Sequence, residues 1–550
     1  MSKQAQKKEV NESKSANAQI NTKRNTNDKK VKKARIIVNI TNTEYDSVKD
    51  LMKNKFGFKL STDINFEWDL FWADTGVTEE MLCRMKKFQK VNHYPSMNCL
   101  ARKNNLGKNL MCMRKVFPKE YEFFPSTWLL PSEWKEFRNQ FNQKKCKTFI
   151  VKPEALSQGR GIFLTRSWEN INPVERYVVQ RYIHKPYLID GLKFDLRMYV
   201  LIYGCDPLRI YIFKEGLARL ATEPYTYPSS CNLNNYFMHL TNYAINKNND
   251  NFVFNNDAER TDIGHKRSLS FVWKYINDHG GDSEELQREI RECIVKTMCA
   301  VQPQLADSYR GCQPLDYKNN KCFEILGFDI LIDHNLKPWL LEVNHSPSFT
   351  IDTPFDAKVK TELLTDTLNI LNLDPMKRIK FYKKKELESQ NRCLGKDKRS
   401  FKKLTKEERL EYKKRYMAKR DKYELEHCGG FTRIYPDLEY PEKYANFIRT
   451  AKRLWEEFFS PKKNRKTQSI ASTKPMVKEV AYKRFNVSRP VKKMLIPSRT
   501  NKTMKNYERA KSIENPSQKN DIESRKSNLL LPPIPKITEK IEKVSSIGNH

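Results

Sequence analysis

Two apolar segments separated by a short polar turn constrain the fold of this chain more than any other feature. The first, residues 323–333, has the composition of a buried strand with one acid at its middle, Asp329. The second, residues 338–349, begins as a strand in which Glu342 and Asn344 point to the same face, because strand side chains alternate. The pattern predicts a β-hairpin that brings these three oxygen-bearing side chains together.

Carboxylate and amide oxygens beside a strand end are ligands that suit a hard cation such as Mg²⁺. Mg²⁺ commonly joins a few protein oxygens to the phosphates of a substrate. The hairpin therefore predicts a nucleoside-triphosphate site with Asp329, Glu342 and Asn344 as metal ligands. The alternative is a buried hairpin whose acids are satisfied by hydrogen bonds, and this stretch alone leaves both open.

A glycine-containing turn between two predicted strands forms a candidate phosphate lid. The strand at residues 148–153 ends near Lys152, and the turn at residues 157–162 contains Gly159 and Gly161. Such a lid can direct backbone N–H groups and the lysine toward phosphate charge. The turn lacks the Gly-Lys-Ser/Thr ending of a Walker loop, so it does not predict a P-loop.

A third predicted strand carries charged residues on one face. With strand alternation, Lys193, Asp195, Arg197 and Tyr199 share a face, and apolar residues occupy the other. Burying such a row of charges is costly unless the charges meet a ligand or one another. A ligand site and an internal ion-pair network both remain open here.

The distribution of charge divides the chain into a neutral body and basic extensions. Residues 1–35, 376–423 and 461–550 carry net charges of +8, +13 and +15, which together account for the whole net charge of +36. Basic extensions on a neutral body imply a polyanionic partner, namely nucleic acid, an anionic membrane or an acidic protein surface. For the two terminal segments, solvated disorder without a partner is the alternative.

The middle basic segment, residues 376–423, repeats short lysine clusters between sparse apolar residues. We interpret it as a basic helical stretch outside the core, followed at residues 431–459 by aromatic residues that pack back on the body. The clusters are Lys383–Lys385, Lys402–Lys403 and Lys413–Arg415.

Other sequence features predict a soluble intracellular protein. The chain contains no apolar run long enough to span a bilayer, and its polar N-terminus does not resemble a signal segment. Its twelve cysteines are scattered without a Cys-x-x-Cys pair, which favours reduced thiols. Periodicity predicts helices at residues 43–56, 78–88 (with Thr78 as N-cap), 100–117, 283–301 and 356–371.

Read together, the motifs resemble the tubulin tyrosine ligase-like family, most closely its polyglutamylase branch, within the ATP-grasp superfamily. The resemblance covers roughly residues 36–460. The segments that carry it are Lys152-Pro153, Ser157-Gln158-Gly159-Arg160-Gly161-Ile162, Phe194-Asp195-Leu196-Arg197, Cys205-Asp206-Pro207-Leu208-Arg209-Ile210, His239-Leu240-Thr241-Asn242-Tyr243, Leu326-Gly327-Phe328-Asp329, Leu341-Glu342-Val343-Asn344-His345-Ser346-Pro347-Ser348 and Cys428-Gly429-Gly430-Phe431.

The resemblance implies an α+β ATP-grasp fold followed by a basic helical extension. The expected N-terminal, central and C-terminal subdomains are residues 36–115, 116–190 and 191–375. Residues 376–460 would form a cationic microtubule-binding region. Residues 1–35 and 461–550 would be basic disordered tails.

The resemblance also implies roles for individual residues. Two Mg²⁺ ions would be held by Asp329, Glu342 and Asn344, and the catalytic side chains would be Lys152, Arg197 and Arg219. Free L-glutamate would contact Arg219, Tyr243 and Lys266, and His345 would lie against the acceptor chain. The expected ATP-binding residues are Lys152, Gln158, Gly159, Gln180, Arg181, Tyr182, Ile183, Lys193, Phe194, Asp195, Thr241 and Asn242.

The implied activity is ATP-dependent ligation of glutamate onto glutamate side chains or branches of tubulin C-terminal tails, through an acyl phosphate. The alternatives are a glycylase or tyrosine ligase of the same family, or a non-catalytic microtubule-binding protein. We expect a monomer that binds tubulin and microtubules in the cytoplasm and cytoskeleton, including cilia, axonemes and basal bodies. We expect neither a membrane nor a nucleic-acid partner, because no nucleic-acid-binding motif accompanies the charge.

Two positions depart from the family pattern. Ala244 stands where many relatives carry Ser, so a hydroxyl contact to the amino acid is missing. Residues 154–157 read Glu-Ala-Leu-Ser instead of a small, Gly-containing lid sequence. Neither departure removes a charge or a metal ligand, so activity is expected.

Overall fold

The structure is a computed structural model and describes residues 34–63, 67–142, 147–395, 405–437, 439–440 and 442–459. The predictions for residues 1–33 and 461–550, and for the cluster Lys402–Lys403, lie outside these residues. None of the described helices combines the length and the apolar character that crossing a bilayer requires. The described part contains both helices and sheets, as the α+β prediction expects.

The N-terminal part forms a four-stranded parallel sheet with the order β2-β1-β3-β4. The Thr78 hydroxyl accepts a hydrogen bond from the backbone N–H of Met81, which confirms it as an N-cap. The strands are β1 (Ile37–Asn42), β2 (Lys59–Ser61), β3 (Leu70–Ala73) and β4 (Lys90–Val91). The helices are α1 (Asp46–Asp50), continued by a π-helical turn (Leu51–Lys55), then α2 (Glu79–Arg84), α3 (Asn98–Ala101) and α4 (Lys103–Val116).

The central part is a four-stranded antiparallel sheet that carries the glycine turn. Its order is β5-β8-β6-β7, and the predicted lid joins β6 to β7. Phe149 of β6 and Val179 of β8 pack with Phe137 of α5, so this sheet has a small core of its own. The elements are β5 (Thr127–Leu130), α5 (Trp134–Arg138) with a 3₁₀ turn (Asn139–Phe141), β6 (Phe149–Pro153), β7 (Phe163–Thr165) and β8 (Tyr177–Arg181).

A seven-stranded antiparallel sheet forms the largest part of the chain. Its main order is β12-β11-β10-β13-β14, with β9 on β10 and β15 on β11. The predicted hairpin is confirmed, since β13 and β14 pair antiparallel with Asp329 opposite Glu342. The strands are β9 (Leu188–Ile189), β10 (Leu192–Cys205), β11 (Leu208–Leu220), β12 (Lys266–Ser268), β13 (Glu324–Ile332), β14 (Pro338–Asn344) and β15 (Phe431–Tyr435).

Helices cover both faces of the large sheet, which explains why its strands are apolar almost throughout. Phe194 and Leu196 of β10 belong to one hydrophobic core with α9, and Leu201 of the same strand belongs to the other core with α10. The predicted helix at residues 283–301 is longer in the structure and continues past Pro303. The helices are α6 (Tyr236–His239), α7 (Tyr243–Asn246), α8 (Leu269–Asp278), α9 (Ser283–Cys312) and α10 (Pro354–Ile370).

The described parts of the basic stretch after residue 374 form helices, and one of these helices contributes to the core. The helices are α11 (Pro375–Cys393), α12 (Lys406–Glu426) and α13 (Ala445–Phe459). In α12, Arg420 and Glu424 are buried, and the Glu424 carboxylate accepts hydrogen bonds from Arg209 of β11. The interpretation that residues 376–423 lie outside the core is therefore wrong for α12, because a distant arginine neutralises its buried acid.

The aromatic segment that follows packs back on the body, as predicted. β15 extends the large sheet along β11. Phe447 of α13 packs edge-on against Phe117 and Tyr121, with ring centroids 5.0 and 5.7 Å apart.

Candidate active site

An open cavity lies between the central sheet and the large sheet. Most of the predicted ATP-binding residues line it, together with two of the predicted metal ligands. The predicted residues in its wall are Lys152, Gln180, Arg181, Tyr182, Ile183, Lys193, Asp195, Thr241, Asn242, Asp329 and Glu342.

Two buried lysines enter this cavity, and neither forms a salt bridge within the described residues. Lys152 Nζ donates to the Gln180 side-chain oxygen at 2.7 Å. Lys193 Nζ donates to the Tyr182 hydroxyl at 3.0 Å and to the His239 carbonyl at 2.7 Å. Burial lowers the pKa of Lys152 to about 8 and that of Lys193 to about 7. Buried cations without paired carboxylates make the cavity suitable for a polyanion such as a triphosphate.

Apolar side chains complete the cavity, and sequence reasoning missed them. Ile150 lies two residues before Lys152 on the same strand, so strand alternation could have identified it. Leu331 lies two residues after Asp329 on β13 and faces the same side of its strand. The remaining apolar side chains in the wall are Pro125, Ile162, Leu240 and Leu341. They supply the surface on which a nucleobase can rest.

The hairpin brings the three predicted metal ligands together. Asp329 and Glu342 are register partners. The Asn344 side-chain amide lies 3.4 Å from Asp329 Oδ2 and 3.3 Å from Glu342 Oε1. Rotating the Asn344 amide group by 180° places its oxygen beside the two carboxylates. This all-oxygen donor set fits Mg²⁺.

The charged face of β10 forms part of an ion-pair network. Arg197 donates two hydrogen bonds to the Asp329 carboxylate. Arg219 bridges two acids, with Asp195 oxygens at 2.6 and 2.7 Å and Asp329 Oδ2 at 2.8 Å. Burial raises the pKa of Asp329, but the two guanidinium groups outweigh it and hold the pKa below its usual range. The ion-pair alternative left by the sequence therefore holds for Asp195 and Arg197, whereas Lys193 forms no salt bridge within the described residues.

A glycine makes room for this network. A Cβ at Gly327 would lie 2.9 Å from Arg197 Cδ, so any larger residue would push the guanidinium away from Asp329. Packing against Arg197 therefore explains why a glycine occupies position 327 of the Leu326–Asp329 motif.

A wider groove adjoins the cavity and contains the predicted glutamate-binding residues. Arg219, Tyr243 and Lys266 line it together with Glu342 and Asn344. Lys266 Nζ lies 3.6 Å above the Tyr243 ring. The sequence did not indicate the partners of Lys266, which are Asp356 Oδ2 at 2.8 Å and Asp352 Oδ2 at 3.4 Å. Lys247 and Lys360 also line this groove.

Three of the predicted ATP-binding residues lie outside the cavity. Phe194 is buried in the hydrophobic core on the opposite face of β10, so the prediction is wrong for its side chain. Gln158 lines the adjoining groove. Gly159 has a φ of +81°, and a Cβ there would lie 2.4 Å from Ile245. The lid turn therefore rests directly on α7 and requires glycine.

His345, the predicted acceptor-binding residue, lies outside both the cavity and the groove. It lines a smaller cavity with His93, Tyr45 and Ser346, and the last two of these also line the groove.

Comparison with known proteins places this geometry in a family. The family model described as "Tubulin-tyrosine ligase family" matches residues 81–380, more than half of the chain. The chain belongs to the tubulin-tyrosine ligase family. The matched residues include the lid, the charged face of β10 and the β13–β14 hairpin.

Several relatives within the family have been named by their activity. The chain is 48% identical over 443 residues to a "Probable beta-tubulin polyglutamylase" of Tetrahymena thermophila, covering 80% of this chain and 37% of that relative. It is 45% identical over 432 residues to "Tubulin polyglutamylase TTLL6" of Mus musculus, covering 78% and 51%. It is 36% identical over 449 residues to "Tubulin polyglutamylase TTLL7" of Xenopus tropicalis, covering 77% and 49%. The chain thus spans about half the length, or less, of these relatives.

Proposed function

We propose that the chain is an ATP-dependent tubulin polyglutamylase that ligates free L-glutamate onto glutamate side chains or branches of tubulin C-terminal tails. The observation that carries the proposal is the pair of buried, carboxylate-free lysines, Lys152 and Lys193, in one cavity with the Asp329–Glu342 hairpin. That combination suits ATP and Mg²⁺. The printed names of the relatives supply the amino acid and the acceptor.

The chemistry requires activation of a carboxylate, because its oxygen is a poor leaving group. ATP supplies the γ-phosphoryl group, and Mg²⁺ on Asp329, Glu342 and Asn344 would offset its charge. Attack by the glutamate amine on the resulting acyl phosphate forms an amide and releases inorganic phosphate. The products are the lengthened tail, ADP and phosphate.

The side chains around the cavity and the groove would bind and orient ATP and glutamate. Lys152 and Lys193 would bind phosphate oxygens, and the end of β8 would support the adenine. Arg197 would face the phosphoryl group. Arg219 would offer its Nη1 to the carboxylate of the incoming glutamate, because its Nε and Nη2 already donate to Asp195. Electrostatic groups aimed at the transferring phosphoryl supply most of the catalysis in reactions of this kind.

The arrangement of the central and large sheets around one cavity supports an ATP-grasp architecture. We propose that these sheets close on ATP and that residues 376–460 bind the acidic surface of microtubules. The exposed lysines of α11 and α12 support this role for the extension. A cytoskeletal location would follow from such binding.

Mass spectrometry of tubulin tails tests the proposal directly. The chain is incubated with purified tubulin, ATP and Mg²⁺, and with glutamate, glycine or tyrosine in separate reactions. We expect mass increments of one or more glutamate residues, and none in the reactions with glycine or tyrosine or with the Glu342→Gln variant. Glycine or tyrosine incorporation would identify a different ligase of the family. A complete lack of incorporation would contradict the enzyme proposal.

A further inference from the structure

A cluster of two imidazoles and one carboxylate lies apart from the hairpin metal ligands. His93 follows β4, Glu324 begins β13 and His345 follows β14. A backbone bridge between Val91 and Cys322 brings the first two together, because each lies two residues further along its segment. One ligand atom from each of the three side chains lies within 4.8 Å of the other two.

Both ring nitrogens of His93 lie against oxygen atoms that accept hydrogen bonds, so one of the two contacts requires a second proton or a metal ion. Its Nε2 lies 2.9 Å from the Ala73 carbonyl oxygen, which can only accept, so this nitrogen must carry hydrogen. Its Nδ1 lies 2.9 Å from Glu324 Oε1, which also only accepts when ionised. A neutral imidazole has one N–H group, so its Nδ1 lone pair would face a carboxylate oxygen. Either a second proton or a metal ion must lie between the two atoms.

Two of the three separations between ligand atoms lie near the value for a tetrahedral metal site, and the third is no more than 4.8 Å. Bonds of about 2.0–2.1 Å from a tetrahedral zinc ion place ligand atoms about 3.3 Å apart. The Glu324 oxygen lies 2.9 Å from His93 Nδ1 and 3.7 Å from His345 Nδ1, which bracket that separation.

Supporting hydrogen bonds already orient two of the three side chains. A metal-bound histidine generally donates its other N–H to a carbonyl or carboxylate, as His93 does to Ala73. The second oxygen of Glu324 accepts the backbone N–H of Tyr94 at 2.8 Å. Both side chains are buried, so the surrounding structure holds them in place.

We propose that His93, Glu324 and His345 bind a transition-metal dication, with Zn²⁺ as the best match, and that water is the fourth ligand. Two imidazoles favour zinc over magnesium, which prefers oxygen ligands. The side chain of His345 is 31% exposed and faces the smaller cavity, which leaves an open coordination position there. The ion would fasten the N-terminal sheet to the large sheet, and this role does not depend on the proposed ligase activity.

Metal titration of the full chain tests the site. The protein is dialysed against a chelator and titrated with Zn²⁺ by calorimetry, with excess Mg²⁺ present to occupy all-oxygen sites. A parallel titration with Co²⁺ follows the visible bands of a tetrahedral site. We expect one equivalent to bind, and His93→Gln and Glu324→Gln to weaken binding at least about 100-fold. The control His279→Gln, at an exposed histidine that directly follows α8, should bind like the wild type.

Variant folding is checked by circular dichroism, because His93 and Glu324 are buried. Should either variant fail to fold, His345→Gln replaces it, since that side chain is partly exposed. Absence of tetrahedral Co²⁺ bands in the wild type would overturn the proposal and assign His93 as an imidazolium paired with Glu324. Equal Zn²⁺ affinity in the wild type and in His345→Gln would overturn it as well.

Discussion

Asp329 and Glu342 lie opposite each other on β13 and β14, yet their surroundings differ. Asp329 is buried and held by Arg197 and Arg219. Glu342 accepts a long hydrogen bond from Asn344 and forms no salt bridge within the described residues. Glu342 is therefore the hairpin carboxylate that can take up a cation without first losing an arginine.

Glu342→Gln should abolish ligation with little effect on folding. The change removes the negative charge that would hold Mg²⁺, so we expect glutamate incorporation to fall at least about 100-fold. The free energy of unfolding should change by less than about 1 kcal/mol, because Glu342 is only partly buried and forms no salt bridge in the part of the chain that the structure describes. Incorporation of labelled glutamate and urea unfolding measure the two effects.

Glu122→Gln is the matched control for this substitution. Glu122 is about half exposed and pairs with Lys337 at 3.0 Å, away from the cavity. Its replacement should leave incorporation and stability unchanged. Turnover near the wild-type rate in Glu342→Gln would show that Glu342 is not a metal ligand.

ATP binding should become weaker as the pH rises above 7. Burial lowers the pKa of Lys193 to about 7 in the ligand-free chain, so the lysine is charged below this pH and neutral above it. A bound triphosphate favours the charged form and raises the pKa, so binding above pH 7 takes up a proton. We expect the logarithm of the ATP dissociation constant to rise by up to about one per pH unit between pH 7 and 8, and more steeply above pH 8, where Lys152 also loses its proton.

Calorimetry in two buffers of different ionisation enthalpy counts this proton. In Lys193→Met the part of the proton uptake that begins near pH 7 should disappear, and the remaining pH dependence belongs to Lys152, to the nucleotide and to other groups. Equal proton uptake by both proteins would show that Lys193 does not contact the phosphates.

Glu424→Gln should loosen the basic extension from the body. The buried Glu424 carboxylate accepts hydrogen bonds from Arg209, Tyr211 and Arg420, so its neutralisation leaves two buried guanidinium groups short of charge. We expect a loss of about 3 kcal/mol in the free energy of unfolding. Faster hydrogen exchange along α12 should accompany it.

Glu426→Gln, two residues further along α12, is the control. Glu426 is 54% exposed and lies 3.9 Å from Lys422. Its loss should change stability by no more than about 0.5 kcal/mol. Similar stability losses for the two variants would mean that the buried network does not hold the extension.

Reversing the charge of exposed lysines on α11 and α12 should weaken microtubule binding. Attraction between exposed charges is long-ranged but screened, so we expect at least about a tenfold loss of affinity at moderate salt. ATP binding should not change, because none of these lysines lines the cavity. Co-sedimentation with microtubules measures the effect. The lysines to be replaced by glutamate are Lys383, Lys384, Lys385, Lys413 and Lys414.

A control with the same change in net charge separates local from general effects. Five exposed lysines elsewhere on the chain are replaced by glutamate, and co-sedimentation should be affected less. Unchanged co-sedimentation of the α11–α12 variant would contradict a role for these helices. The control lysines are Lys53, Lys119, Lys135, Lys185 and Lys274.

Short-range rules predicted the hairpin, whereas most of the cavity residues were identified through the family resemblance. Strand alternation alone places Glu342 and Asn344 on one face, and the hairpin turn adds Asp329. The same rule places Phe194 on the face of β10 opposite to Lys193. For the position of the Phe194 side chain, strand alternation was therefore correct and motif similarity was not.

The features that the sequence did not predict depend on contacts between distant residues. Glu424 meets Arg209 across 215 positions, and nothing near either residue marks it as buried. His93 and Glu324 are 231 positions apart and meet only because β4 lies beside the start of β13. Local periodicity contains no information about such partners.

Strand β11 carries Arg219 near one end, where it lines the groove, and Arg209 near the other end, where it pairs with Glu424 of α12. The ten residue steps between them span at most roughly 33 Å, since β11 contains a bulge. Glu424 of α12 is therefore fixed to the same strand that carries Arg219 into the groove. If residues 376–460 bind microtubules as proposed, this fixed span would set the distance between the polymer and the cavity, so the length of a tubulin tail, more than its local sequence, would select the residue that reaches the cavity.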